Sequence, residues 1–285
     1  MAKTQQIDEK SATKDKKYLG LDKRKKSTNF TPVQHGSMDG IPLPTGVDLD
    51  ELRMIRLGKV RYETLKLGLD AILLLDPVNT RYATDTTDQT MYCSHFETRF
   101  IFMPAYNSQA ILYDYASMPF LWEGIPTVDV TQTTGKAMSA YYYFAAAQRT
   151  QHFADIFGNQ VSDLMDNAKA HAKEENSEDY ASAKVYLGVD RLSQIGSQAV
   201  EDHGIGFANG QEIMSKARKI KDLQEFPLMN ASIAIGIQGV KNIRELTDSI
   251  VGPGQMVTEN QAYSLLVKEN IANGGQWMDA RNFVG

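Results

Sequence analysis

The sequence is poor in cysteine and has no long hydrophobic run. Its 285 residues include one cysteine, Cys93, so no disulfide bond can form within the chain. No segment approaches the ~18 consecutive apolar residues that a membrane-spanning helix requires. The N-terminal residues also lack the apolar core of a secretory signal peptide. We therefore predict a cytoplasmic protein that has no membrane partner.

Recognisable motifs for metal binding and nucleophilic catalysis are also missing. The five histidines are scattered, and no two have the spacing at which one helix face binds a metal: His35, His95, His152, His171 and His203. The chain has no Gly-x-Ser-x-Gly elbow and no glycine-rich phosphate loop. These 285 residues therefore yield no predicted catalytic residue and no predicted metal ligand.

The N-terminal segment is basic and polar. Seven cations cluster within its first 30 residues: Lys14, Lys16, Lys17, Lys23, Arg24, Lys25 and Lys26. Few large apolar residues accompany them, so residues 1–40 are predicted to form a disordered arm. The arm is either a solvated leader or a tail directed to RNA, a membrane or an import receptor. Because the whole chain carries a net charge of −5, we predict no nucleic-acid partner.

Residues 41–220 alternate between helical and strand patterns. Asp48 and Glu51 fit a capping box before a helix, and the apolar run 71–75 predicts the first strand. Two short β-like runs at 100–103 and 110–113 predict a hairpin, and a helix is predicted from about His152. This alternation predicts an α/β domain with a mixed sheet.

A second unit is predicted for residues 221–285. Its first helix carries an apolar face made of Met229, Ile233, Ile237, Val240 and Ile243. Thr258 and Gln261 fit a capping box that opens a second helix. Two helices and the start of a strand cannot enclose a core. We therefore expect the beginning of a larger domain, and a 285-residue chain that is inactive and poorly soluble.

The candidate site residues cluster after the first strand. Asp76-Pro77 interrupts that strand, because proline has no N–H for the ladder, and we predict a loop over residues 76–85. The chemically capable side chains of this stretch and the next 14 residues are Asn79, Arg81, Tyr82, Asp85, Tyr92, His95 and Arg99. Arg81 or Arg99 could hold a carboxylate, and Tyr92 could face a cation. Alternatively, Arg81 pairs with Asp76 or Asp85 to fix the loop.

Residues 76–85 resemble the N-terminal domain of the creatinase/aminopeptidase P superfamily. The likeness is closest to its DddP-type dimethylsulfoniopropionate (DMSP) lyases. Further pieces match in the same order, at 113–121, 268–271, 274–277 and Arg281. The resemblance implies a creatinase-like N-terminal α/β domain over 41–220. It also implies that 221–285 begin an α+β pita-bread domain, whose metal ligands would lie beyond Gly285.

The same resemblance implies a function for the complete protein. It would be a homodimer that binds a divalent metal of the iron, zinc or manganese type and cleaves DMSP, a small molecule, by β-elimination. Two alternatives stay open, namely an Xaa-Pro peptidase or creatinase-type hydrolase, and a non-catalytic domain for dimerisation or binding.

The resemblance also divides the candidate residues into two groups. Tyr92, His95 and Arg99 are expected to bind substrate across the dimer, although Tyr92 stands where the lyases have tryptophan. The residues expected to structure the loop are Asp76, Asn79, Arg81, Tyr82 and Asp85.

Overall fold

The computed structural model describes residues 47–86, 99–106, 109–114, 122, 124–129, 150–175, 186–250 and 256–275. From Leu49 onward these residues divide into two compact units, before and after the bond between Ile220 and Lys221. The predicted basic arm, 1–40, lies outside the described residues.

The first unit is built on a mixed five-stranded sheet. Its elements, in chain order, are α1 (Leu49–Lys66), β1 (Ala71–Leu74), α2 (Pro77–Thr84), β2 (Phe100–Pro104), β3 (Ile111–Tyr113), α3 (Thr150–Glu175), β4 (Tyr186–Val189), α4 (Gln194–Glu201), β5 (Gly206–Asn209) and α5 (Gly210–Lys219). The strand order is β3-β2-β1-β4-β5. β1, β4 and β5 are parallel, whereas β2 is antiparallel to β1 and β3. The predicted α/β class with a mixed sheet and a hairpin is confirmed.

Helices cover both faces of this sheet. Successive residues of β1 point to opposite faces, so Leu73 packs in the cluster that contains α3 and α4. Ile72 and Leu74 pack in the second cluster, which contains α1 and α5. All four residues of β1 are buried, as expected for a central strand that is covered on both sides.

The predicted loop over residues 76–85 is wrong, because most of it is the helix α2. The Asp76 side chain caps this helix by accepting from the backbone N–H groups of Val78 and Asn79. Pro77 occupies the first turn, where its missing N–H would have no helical partner in any case. The helix ends at Asp85, whose φ of 61° is left-handed.

The second unit contains two packed helices, α6 (Glu225–Ser249) and α7 (Glu259–Ala272). The predicted capping box of α7, between Thr258 and Gln261, is confirmed. Gly239 lets the helices approach, since a Cβ there would lie 2.7 Å from Leu266 Cδ2. Among the described helices of the whole chain, none has both the length and the apolar character needed to cross a membrane.

One face of α6 is apolar and exposed. Its large residues are Phe226, Met229, Ile233, Ile237 and Val240; we call them the α6 stripe. The apolar face that the sequence predicted is therefore present, although Ile243 is partly buried. The low solubility expected from this face stays a prediction.

Candidate functional site

Polar side chains collect at one edge of the sheet, where β1, β4 and β5 end. Because Leu74 pairs with Ile101 and Phe100 pairs with Tyr113, β2 begins and β3 ends at this same edge. We call it the carboxyl edge. In open α/β sheets it is the usual place for binding groups, so it is the candidate site of the first unit.

Asp190 lies at the centre of the carboxyl edge, directly after β4. Its carboxylate accepts from the backbone N–H groups of Leu75 (2.9 Å) and Asp76 (3.1 Å) and from Asn79 Nδ2 (3.0 Å). Its own N–H donates to Leu73 O at 3.4 Å. The side chain thus extends the pairing of β1 with β4 beyond the last residues of the ladder.

The environment of Asp190 changes its acidity. Burial raises the pKa of the carboxyl above its ordinary 3.8, because the charged form loses hydration. The hydrogen bonds from Leu75, Asn79 and Asp76 lower the pKa and partly oppose this effect, while the nearby Asp76 carboxylate adds to the rise. Asp190 therefore binds a proton more readily than a carboxyl in water does.

Asn79 connects Asp190 to the first turn of α5. It is 1% exposed, and its Nδ2 also donates to Gln211 Oε1 at 3.2 Å. Its Oδ1 is buried and has no hydrogen-bond partner among the residues that the structure describes. The neighbouring Asn209 caps α5 by accepting from the N–H groups of Gln211 and Glu212. Most of the hydrogen bonds at the carboxyl edge run to backbone groups of the protein itself. They favour a structural role for the side chains of this edge.

A buried ion pair lies at the antiparallel end of the same edge. Arg99 Nε and Asp114 Oδ2 are 2.7 Å apart, and the two side chains are 2% and 4% exposed. Arg99 Nη2 donates to Thr86 Oγ1 at 2.7 Å. These contacts tie the start of β2 to the end of β3 and to the residues after α2. They favour a structural role for Arg99, and its predicted substrate contact stays a prediction.

The remaining predicted residues link α2 to its neighbours. Arg81 Nε lies 3.0 Å from Asp85 Oδ1, and Arg53 Nε of α1 lies 2.7 Å from Asp85 Oδ2. The Tyr82 hydroxyl donates to Ala217 O of α5 at 3.0 Å, and its ring packs against the second cluster. Tyr92 and His95 lie outside the described residues.

The sequence interpretation missed Asp190 and Asn209 as members of this cluster. The signal was present, because Asp76 follows closely after β1, Asp190 follows β4, and Asn209 is the last residue of β5. A polar residue at the end of each of three apolar strands indicates a shared edge when those strands are parallel.

A metal was expected only in the longer protein. The described residues contain no group of three or more His, Cys, Asp or Glu that could hold a metal ion. They therefore do not fit the divalent metal that the resemblance implies, and we derive no chemical step through one.

Two curated proteins match most of this chain. The dimethylsulfoniopropionate lyase DddP of Roseobacter denitrificans is 28% identical over 234 residues, which are 82% of this chain and 48% of that protein. The DddP lyase of Roseovarius nubinhibens is 26% identical over 242 residues, 85% of this chain and 50% of that protein. This chain thus spans about half the length of the curated relatives it matches. No protein-family model matches it.

Solved structures overlap it less closely. Dipeptidase PepE from Mycobacterium ulcerans has a TM-score of 0.48 at 12% identity, covering 79% of this chain and 50% of that one. An Xaa-Pro dipeptidase from Bacillus anthracis has a TM-score of 0.44 at 16% identity, covering 75% and 47%. Scores below 0.5 support no argument about function. The predicted resemblance to the DddP-type DMSP lyases is confirmed by sequence, since this chain is similar to them over more than four fifths of its length.

Proposed function

We propose that this chain forms the N-terminal portion of a metal-dependent lyase that cleaves DMSP to dimethyl sulfide and acrylate. The observation that carries the proposal is the 26–28% identity to two DMSP lyases over 82–85% of the chain. The divalent metal, the homodimer and the cytoplasmic location belong to the same proposal. The metal ligands would come from residues beyond these 285.

The proposed reaction needs two groups from the complete protein, a base and an aromatic face. A base takes a proton from the carbon next to the carboxylate. The electron pair then forms the double bond of acrylate, and the C–S bond breaks to release neutral dimethyl sulfide. The sulfonium cation is best held by an aromatic face. We assign the base to no residue of this chain and the aromatic face to Tyr92, with His95 and Arg99 as further substrate contacts.

Within this proposal the first unit acts as a support. Asp76, Asn79 and Asp190 fix the carboxyl edge through hydrogen bonds among themselves and to the backbone. The rigid edge would then fix the position of α2, from which the chain continues to Tyr92. A preorganised support of this kind lowers the entropy that substrate binding costs.

Headspace gas chromatography tests the function directly. The 285-residue chain and the longest polypeptide that its gene encodes are each incubated with DMSP and added iron, zinc or manganese salt. We expect dimethyl sulfide from the longer form and none from the 285-residue chain. No gas above a protein-free blank from either form would reject the lyase proposal. Cleavage of an Xaa-Pro dipeptide by the longer form would instead favour the hydrolase alternative.

Tyr92→Ala in the active form should weaken DMSP binding by about 1–2 kcal/mol, because the variant loses the aromatic face. The measurement is the KM for DMSP, with Tyr92→Phe as the control that keeps a ring. We expect the phenylalanine variant to stay close to the wild type. An unchanged KM in the alanine variant would contradict the assignment of Tyr92.

A further inference from the structure

We propose that Thr86 and Asp114 are positioning residues of the lyase. They hold the Arg99 guanidinium in one plane and thereby join the two ends of the segment 87–98, which carries Tyr92. The inference rests on the proposed function, because that function assigns the aromatic face for the sulfonium cation to Tyr92.

Three parts of the first unit meet at the Arg99 guanidinium. The ladder between β2 and β3 ends at the pair Phe100 and Tyr113, and Arg99 and Asp114 come next on either side. Asp114 Oδ2 accepts from Arg99 Nε, and Thr86 Oγ1 accepts from Arg99 Nη2, each at 2.7 Å. A planar guanidinium that donates through two nitrogens to acceptors on different elements has a fixed orientation. We call Thr86, Arg99 and Asp114 the clamp.

The clamp is buried and is tied to α2. All three of its side chains are buried, and Thr86 Oγ1 also lies 2.8 Å from Oγ1 of Thr84, the last residue of α2. An ion pair in the interior stabilises a fold little in comparison with apolar side chains of similar volume, because both charges lose hydration. The position that the Arg99–Asp114 pair fixes is therefore a better reason for its presence than stability.

The clamp joins two points that are distant in the sequence. Thr86 and Arg99 stand on either side of the twelve residues 87–98, so their hydrogen bond brings the two ends of this segment together. Tyr92 is six residues from Thr86, which keeps its Cα within about 20 Å of Thr86 in any conformation. Joining the ends of a chain removes conformations that it would otherwise sample. The clamp therefore limits the positions that Tyr92 can take and lowers the entropy that substrate binding costs.

A label on Cys93 tests the clamp without any lyase activity. Cys93 is the only cysteine of the chain and lies in the segment 87–98, so a fluorophore attached to it reports the motion of that segment. Thr86→Val removes the acceptor hydroxyl and nearly keeps the shape of the side chain. In the 285-residue chain at submicromolar concentration, we expect lower fluorescence anisotropy for Thr86→Val than for the wild type. Thr86→Ser keeps the hydroxyl and should match the wild type.

Thr64→Val is the matched control. Thr64 is 0% exposed and Thr86 is 1% exposed, and the Thr64 hydroxyl donates to Val60 O within α1 at 2.8 Å. This control should leave the anisotropy unchanged. The double variant Arg99→Met/Asp114→Leu leaves no charge unpaired and should lower the anisotropy as Thr86→Val does, so it replaces Thr86→Val if that variant does not fold. An unchanged anisotropy in the clamp variants would overturn the inference.

The KM for DMSP tests the positioning role in the active form. Thr86→Val should raise KM about three- to tenfold and leave kcat nearly unchanged, because a misplaced aromatic face weakens binding without touching the reacting atoms. In a Tyr92→Ala background the same change should raise KM less than about twofold, since the face through which it acts is already absent. Thr64→Val should keep the wild-type KM. An equal rise in Thr64→Val, or the full rise in the Tyr92→Ala background, would overturn the positioning role.

The two readouts separate this inference from the proposed function. If the anisotropy changes as expected and no form releases dimethyl sulfide, the lyase proposal fails and the joining of the segment ends is supported. If dimethyl sulfide is released and Thr86→Val has the wild-type KM, the positioning role is overturned and the lyase proposal stands. The double variant is used for the anisotropy alone, because the proposed function gives Arg99 a substrate contact of its own.

Discussion

Replacing Asp114 by asparagine should lower the free energy of unfolding of the first unit by about 3–5 kcal/mol. The variant removes the negative charge that lies 2.7 Å from Arg99, in a pair whose side chains are only 2% and 4% exposed. The positively charged guanidinium of Arg99 remains in place. A buried cation without its counter-ion then bears its desolvation cost alone. Urea denaturation of the wild type and the variant measures the difference.

Two further variants test whether the burial of the Arg99–Asp114 pair is the reason for the large expected effect. Lys169→Met removes the partly buried partner of the solvent-exposed Asp166, 3.5 Å away, and should change the unfolding free energy by less than about 1 kcal/mol. The double variant Arg99→Met/Asp114→Leu removes both charges at once. Its loss of stability should be smaller than the sum of the losses in the single variants Arg99→Met and Asp114→Leu, because neither charge is left unpaired. Additive losses would show that the two groups act independently.

The sheet was largely predictable from local patterns. The apolar runs at β1 and β2 are short, and turn residues bound them. This is the signature of buried strands. The hairpin of β2 and β3 follows from two such runs separated by a few residues. The helix α3 shows an apolar row, with Phe157, Val161 and Leu164 in the core.

The helix α2 and the polar contacts at the carboxyl edge were not predictable in the same way. Asp76-Pro77 ends a strand, but it is also a strong helix start, because aspartate caps the first turn and proline fits within it. The prediction of a loop rests on the first meaning alone. The partner of Asp76 at this edge, Asp190, is 114 residues away. Such a contact depends on β4 lying beside β1, and no local spacing encodes that strand order.

Replacing Asp190 by alanine should lower the free energy of unfolding by about 2–4 kcal/mol, the second of the two largest effects we expect. Three donors, on Leu75, Asp76 and Asn79, lose the acceptor that holds them at 2.9–3.1 Å. A buried donor left without a partner costs about 1–3 kcal/mol, and water that enters the partly buried site offsets some of that cost. Urea denaturation gives the difference from the wild type.

Asp190→Asn is the informative control, because it keeps the shape of the side chain and one acceptor oxygen. A new NH₂ group in place of Oδ2 would face Asn79 Nδ2 and the Asp76 N–H, which loses its acceptor. Asn79 can rotate its amide and present Oδ1, which has no hydrogen-bond partner among the described residues. The Leu75 N–H keeps its acceptor, so one donor is left unsatisfied where the alanine variant leaves three. We therefore expect Asp190→Asn to be less destabilised than Asp190→Ala. Adding Asn79→Ala should remove that advantage. Equal stability of the asparagine and alanine variants would contradict this account.

The pH dependence of Asp190 has a definite sign. Its pKa in the folded protein is raised above 3.8 by burial, so between 3.8 and the folded pKa the native state binds more protons than the unfolded chain. The contribution of Asp190 to stability is therefore greatest at low pH, is lost as pH rises through the folded pKa, and is constant above it. The unfolding free energy of the wild type minus that of Asp190→Asn should fall as pH rises from about 4. A difference that grows with pH over this range would mean that the hydrogen bonds from Leu75, Asp76 and Asn79 outweigh the cost of burying the charge.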